Sequence, residues 1–124
     1  MHRSRLQVVL IDSSPDVAEA EIAFWAAALG HEPKAEAGTP FTEIAPIGTG
    51  PVLAHQRLQE GDSRIHLDVE TDDLDAEVSR LEQLGAVRVG GSDGCVHLRD
   101  PAGLIFCVVP VQSDDFEQHA TTWG

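Results

Sequence analysis

The sequence predicts an α+β fold made of two copies of one strand–helix–strands unit, and three observations carry that prediction. Arg5-Leu-Gln-Val-Val-Leu-Ile precedes a turn, a helix-like run and Leu29-Gly30, and Arg64-Ile-His-Leu-Asp-Val-Glu precedes the same order ending at Leu84-Gly85. Both middle stretches carry apolar residues at helical spacing, and both are followed by short segments divided by Gly and Pro. Pairing Arg5 with Arg64, an offset of 59, also sets Gln7 opposite His66, so each opening strand bears a polar side chain at one point. The helix ends align with an offset of 55 (84 minus 29), so the first crossover is longer by four residues, about one helical turn. Function is expected where two such copies face each other.

The elements follow in order. Residues 5–11 are apolar at nearly every position, as in a strand covered on both faces. Ser14 and Pro15 supply an N-cap and a proline at the first helical position, and Asp16 and Glu19 suit the positive helix end. Ala18, Ile22, Trp25 and Leu29 form the stripe expected to face a sheet, which makes Trp25 a core residue, and Gly30 is the stop. Segments around 34–37, 41–46 and 51–58 read as an antiparallel meander.

In the second copy Ile65, Leu67 and Val69 point one way, toward a helix, and His66, Asp68 and Glu70 the other. Asp72, Asp73 and Asp75 crowd the next helix start, Leu74, Val78, Leu81 and Leu84 form its stripe, and Gly85 ends it. Ala86–Val89, Cys95–Arg99 and Leu104–Val109 are the remaining strands, with Asp100-Pro-Ala-Gly as a turn and Gly90-Gly-Ser-Asp-Gly94 as a hairpin loop. One domain, 1–124, is expected, with units of about 5–58 and 64–110 and a polar tail 111–124. The tail either frays or docks on a partner subunit.

Composition narrows the function. Eight Lys/Arg against 21 Asp/Glu leave a net charge of −13, which repels nucleic-acid phosphates and anionic lipid. That charge favours solubility first and cationic ligands second. No apolar run approaches the roughly 20 residues a membrane span needs, and the N-terminus lacks a signal-peptide pattern, so a cytoplasmic protein is expected. Cys95 and Cys107 form no Cys-x-x-Cys pair, and a reducing cytosol argues against a disulfide between them. No nucleophile elbow or phosphate loop is present.

The chain resembles the vicinal oxygen chelate superfamily of glyoxalases, bleomycin-resistance proteins and extradiol dioxygenases, and within it the glyoxalase-like domains. The matching residues are Leu6-Gln-Val-Val-Leu, Phe24-Trp-Ala-Ala-Ala-Leu-Gly, His66-Leu-Asp-Val with Asp72-Asp-Leu-Asp, Leu81-Glu-Gln-Leu-Gly-Ala and Asp100-Pro-Ala-Gly-Leu-Ile-Phe-Cys. The resemblance implies two βαβββ units in a cupped mixed sheet with helices outside, frequently as a homodimer, and a site inside the cup. It also implies metal ligands on the opening strand of each unit and on the closing strand, often His or Gln, His, and Glu. Those positions here are Gln7, His66 and Cys107.

Cys107 departs from that pattern, because the closing segment reads Phe106-Cys-Val where Phe-Glu-Leu is usual. A hard ion prefers carboxylate there, whereas thiolate suits zinc. The expectation is therefore a small-molecule-binding protein of this fold that lacks the usual metal triad, drug sequestration included. The alternative is a metal-dependent lyase, isomerase or dioxygenase acting on vicinal oxygens, with Zn, Ni, Mn or Fe on Gln7, His66 and Cys107. The sequence names no catalytic residue. The pocket residues expected are His66 foremost, then Gln7, Gln56, Cys107 and His55. His55 and Gln56 lie on the strand closing the first unit, at the place corresponding to Phe106-Cys107, and Gln56 is preferred as the one facing the cup. Gln7 needs a buried partner, for which His66 is one candidate. Asp68 shares a strand face with His66 and could orient it.

Overall fold

A computed structural model describes residues 1–92 and 94–124. Among them lie nine strands and three helices, consistent with an α+β glyoxalase-like fold. They form two compact units, residues 8–66 and residues 1–7 with 67–124. The opening strand β1 (His2–Ser13) contributes its first half to the second unit and its second half to the first.

In the unit 8–66, Ser14 precedes α1 (Pro15–Leu29), with Pro15 opening the helix. Gly30 closes it in the left-handed region at φ 75°, which lets its N–H reach the carbonyls of Ala26 and Ala27. Then come β2 (Lys34–Ala35), β3 (Phe41–Pro46) and β4 (Val52–Arg57), paired in the order β2-β3-β4-β1. β4 runs parallel to β1, with Val8 opposite Val52 and Asp12 opposite Gln56, while β3 is antiparallel to β4. Val8, Leu10 and Ala54 form the apolar cluster, with Phe41 and Val52 packed on it.

The α1 stripe is corrected by the structure. Ala18 and Ala26 are buried, Ile22 and Trp25 are half-buried, and Leu29 is 44 % exposed. Small alanines sit at the buried line, so the larger side chains flank it instead of forming it. Trp25 meets the exposed Phe24 edge to face, with ring centroids 5.2 Å apart.

The second unit repeats the wiring. β5 (Arg64–Thr71) leads to α2 (Leu74–Gln83), then β6 (Val87–Ser92), β7 (Cys95–Arg99) and β8 (Ile105–Pro110), paired in the order β5-β8-β7-β6. β8 runs parallel to β5 and antiparallel to β7, as β4 does to β1 and β3 in the other unit. Its core is Val78, Val96, Leu98, Phe106 and Val108, with Leu67, Val69, Leu74 and Leu81 packed against it. Leu67 and Val69 thus take the helix-covered face as expected, but Ile65 is 56 % exposed and Leu84 67 % exposed. Alternation fixes which way a strand residue points, not whether anything covers it.

Gly90, Gly91 and Ser92 belong to β6 and pair with His97, Val96 and Cys95, so the expected glycine-rich loop is mostly strand. A bulge between Arg88 and Gly90 admits them to the ladder. Asp93 of that loop lies outside the described residues. The Asp100 turn forms as expected, the carboxylate accepting from the amides of Ala102 and Leu104.

The tail carries regular structure that pairs with the start of its own chain. α3 (Phe116–His119) and β9 (Thr121–Trp123) fold back on their own chain, β9 pairing antiparallel with β1 through His2 opposite Trp123. The Trp123 indole donates to Ser4 Oγ at 2.9 Å, and the Arg80 guanidinium lies 3.8 Å from the Trp123 ring centroid. Beneath it the fully buried Glu77 takes hydrogen bonds from Arg80 and pairs with His2 at 2.8 Å.

The two helix starts differ in a measurable way. Asp73 accepts from the Ala76 amide at 3.1 Å, whereas Ser14 makes no side-chain cap bond and its hydroxyl donates to Asp16. Asp73→Ala should therefore cost about 1 kcal/mol and Ser14→Ala only a few tenths. Urea unfolding of the two variants checks the order, and equal losses would contradict it.

Candidate functional site

Within the unit 8–66, the end of β1 organises the polar groups. Asp12, 1 % exposed, meets His66 Nδ1 at 2.7 Å and Arg64 Nε at 3.3 Å. A buried carboxylate is tolerated only with such partners. The contact fixes the His66 ring and, in the neutral imidazole, places the proton on Nδ1 and makes Nε2 the acceptor nitrogen. Asp12 is not among the residues the sequence singles out. A usable signal was present: Ser14 already stands at the helix start, so an acid two residues earlier on a strand needs another partner.

His55 is fully buried and its Nε2 lies 2.5 Å from Ser13 Oγ. Burial lowers its pKa, with Arg57 adding to the effect against Glu21 and Asp12, so the ring is neutral at physiological pH. Its Nδ1 has no hydrogen-bond partner among the described residues. Gln56, the next residue, is half-buried opposite Asp12, and alternation turns it to the other face of β4. A separate cavity of about 350 Å³ in this unit is lined by Glu19, Ile22, Thr42 and Arg57 among others. None of the five residues expected from sequence lines it.

In the second unit, Cys107 stands opposite Asp68 on one side and His97 on the other. Val96, Leu98, Phe106 and Val108 fill the core face, so Cys95, His97 and Cys107 share the opposite face. Their donor atoms all lie within 4.8 Å of one another, and an Asp68 carboxylate oxygen is equally close to the Cys107 sulfur. Both cysteines are free thiols. Burial, the neighbouring Cys107 and the Asp68 charge push the Cys95 thiol up to about 11. His97 and Cys95 are not among the pocket residues expected from sequence; Cys-x-His along a strand is the signal the sequence offers.

Glu70, expected to share the open face with His66, is fully buried and occupied structurally. It accepts from Arg5 Nε at 2.7 Å, from the amides of Gln112 and Ser113, and from the Ser113 hydroxyl. Arg5 also binds Asp115 at 2.5 Å. Gln7 is half-buried two residues along β1, and its Oε1 is buried with no hydrogen-bond partner among the described residues.

Duplicate units in which a closing strand pairs parallel with its opening strand define the vicinal oxygen chelate class. A family model for the glyoxalase-like domain matches residues 8–109, and the chain belongs to that family. No curated protein matches the sequence. Among solved structures it is similar to an NAD-dependent benzaldehyde dehydrogenase from Legionella pneumophila, at 14 % identity and a TM-score of 0.63, covering 85 % of this chain and 98 % of that one. A Mn(II)-bound glyoxalase from Novosphingobium aromaticivorans shares 23 % identity at a TM-score of 0.57, over 89 % of this chain and 40 % of that longer chain. A hypothetical protein from Bacillus halodurans C-125 shares 10 % identity at a TM-score of 0.62, over 90 % of this chain and 96 % of that one. At these identities the likeness is one of fold.

The donors can be tested against the hard ion such a fold often holds. Gln7 offers an orphaned buried oxygen, and His66 has the carboxylate-backed ring typical of a metal-binding histidine. Cys107 departs from the usual set: a thiol 9 % exposed stands at the closing-strand position, with the Cys95 thiol, the His97 imidazole and an Asp68 carboxylate as neighbours. Manganese, magnesium and iron(II) prefer oxygen and nitrogen donors to this sulfur-rich corner. At Cys107 the usual set is therefore not matched.

Proposed function

We propose that this chain is a small-molecule-binding glyoxalase-like protein that works without the hard-metal triad of its fold. The observation that carries the reading is Cys107, which puts sulfur where a carboxylate would complete that triad. The ligand would rest against His66, whose ring Asp12 holds in one orientation, with Gln56 of the same unit as a further hydrogen-bonding group. His55, buried against Ser13, serves better as the packing behind such a site than as a contact. The chain's negative charge is compatible with a cationic organic ligand, sequestered drugs included.

His66→Ala should weaken the best hit from a thermal-shift screen of small molecules by about 1–3 kcal/mol, the cost of leaving a buried polar partner unmatched. Calorimetric titration measures this, and unchanged affinity would remove His66 from the site. Asp12→Asn should weaken the same hit by a smaller factor, by loosening the ring.

A second reading, metal-dependent turnover of a substrate with vicinal oxygens, is favoured by the orphaned Gln7 oxygen and by the Mn(II)-bound glyoxalase of like fold. Elemental analysis of protein purified without chelator separates the two. One equivalent of Mn, Fe or Ni, lost in His66→Ala, would favour the second. We further propose a cytoplasmic homodimer, for which the exposed Val17, Phe24 and Leu29 of α1 supply apolar surface. Sedimentation showing only a 13.3 kDa particle at micromolar concentration would refute the dimer. Among the described residues no helix is long and apolar enough to cross a membrane.

A further inference from the structure

We propose that Cys95, His97 and Cys107 form a binding site for a thiophilic divalent cation of the Zn²⁺ type. The site is built on the β7–β8 ladder and shares only Cys107 with the positions expected to hold the usual ligands of the fold. The ladder brings the three together without help from loops. His97 and Cys107 are directly opposite in the antiparallel register, and Cys95 precedes His97 by two residues on the same face. Both strands are backed by the packed core of Val96, Leu98, Phe106 and Val108, so the donors stand on rigid backbone, as a preorganised site needs.

The dimensions and chemistry agree. Zinc bonds of about 2.3 Å to sulfur and about 2.0 Å to nitrogen put tetrahedral donors roughly 3.5–3.8 Å apart. The three donor atoms already lie within 4.8 Å of one another, so side-chain rotation closes the gap. Two sulfurs and one imidazole select a borderline-soft ion over magnesium, calcium or manganese. On binding, each thiol gives its proton to solvent and the two thiolates neutralise the ion. Asp68, with a carboxylate oxygen within 4.8 Å of the Cys107 sulfur, adds negative charge beside the site. Three protein donors leave a fourth position for water, Asp68 or a ligand atom, the arrangement of reactive rather than purely structural zinc. His97 is exposed, which gives an ion a route from solvent.

The test is titration of the reduced, chelator-stripped full chain with Co²⁺, followed by Zn²⁺. One equivalent of cobalt should give tetrahedral d–d absorption and a sulfur-to-cobalt charge-transfer band as strong as two thiolates produce, and stoichiometric Zn²⁺ should bleach both. Cys95→Ser and His97→Ala should each weaken Zn²⁺ by more than about 100-fold, because loss of a residue merely behind a ligand already costs about 10–100-fold. His31→Ala should bind as the wild type does. Should Cys107→Ser fail to fold, the exposed His97 and half-buried Cys95 still carry the test. Absence of the charge-transfer band in the reduced wild type would overturn the proposal. So would retention of Zn²⁺ by His97→Ala together with its loss in His66→Ala, which would place the ion in the usual set of the fold. A reduced chain that takes no ion but oxidises to a Cys95–Cys107 disulfide would overturn it as well.

Discussion

Glu70→Ala is expected to destabilise the protein by about 3–5 kcal/mol, the largest loss from any single polar substitution here, because it strands a buried guanidinium. The Arg5 side chain is 6 % exposed and Glu70 is fully enclosed, so neither charge can fall back on water. Asp115, the other acid on Arg5, is 42 % exposed and compensates only in part. The same substitution removes the acceptor for the Gln112 and Ser113 amides, so the chain leading into α3 and β9 should loosen first. Urea unfolding gives the magnitude, and hydrogen exchange at residues 112–123 gives the locality. A loss under 1 kcal/mol would mean that Arg5 and Glu70 do not meet as described. Replacing Arg5 and Glu70 together by apolar residues of similar volume should cost much less than either single change.

The same network sets a pH dependence. Burial alone would raise the Glu70 carboxyl, but the bonds from Gln112, Ser113 and Arg5 outweigh it and hold its pKa below the usual value of 4.5. Glu77 behaves alike: burial raises it, and Arg80, Ser4 and His2 more than reverse that. A carboxyl depressed in the folded state contributes stability that is fully present above its unfolded pKa and is lost as pH falls through the folded one. Stability should therefore fall below about pH 4.5, with Glu70→Gln showing a shallower decline than the wild type.

Local chemistry was legible in the sequence and long-range cover was not. Pro15 and Gly30 bound α1, and β7 runs from Cys95 to Arg99, because caps, glycines and alternation act within a few residues. The duplication was legible for the same reason, since each copy repeats its own punctuation. Glu70 shows where such reading stops: alternation assigned its face correctly relative to Leu67 and Val69, but a tail segment more than forty residues away covers it. His66 illustrates the same limit. Its strand position was readable, whereas its partner Asp12, which lies 54 residues earlier, follows only from pairing in space. The Cys95, His97 and Cys107 cluster needed the β7–β8 register, which sequence spacing alone does not supply.

Register also makes Gly91→Ala the second large effect, with Gly90→Ala as its matched opposite. A Cβ on Gly91 would stand 2.3 Å from the Cys95 carbonyl oxygen and 3.0 Å from the Val96 Cα, both backbone atoms of the facing strand. Its φ of 134° is a conformation that a side chain resists even in open space. Strain of about 1–3 kcal/mol from the dihedral adds to about 1–3 kcal/mol from the overlap, so about 2–6 kcal/mol is expected. Gly90 has nothing within 4 Å of its Cβ position and does not take a positive φ. Alanine there restricts the unfolded chain at little native cost and should be neutral or stabilising by up to about 1 kcal/mol. The contrast reaches the proposed cation site, because relieving the Gly91 clash pushes back the backbone that carries Cys95. Gly91→Ala should thus lower the melting temperature and weaken cobalt binding together, whereas Gly90→Ala should leave both intact. Thermal unfolding and cobalt titration of the two variants measure this directly, and equal behaviour would contradict the β6–β7 register from which the contrast is drawn.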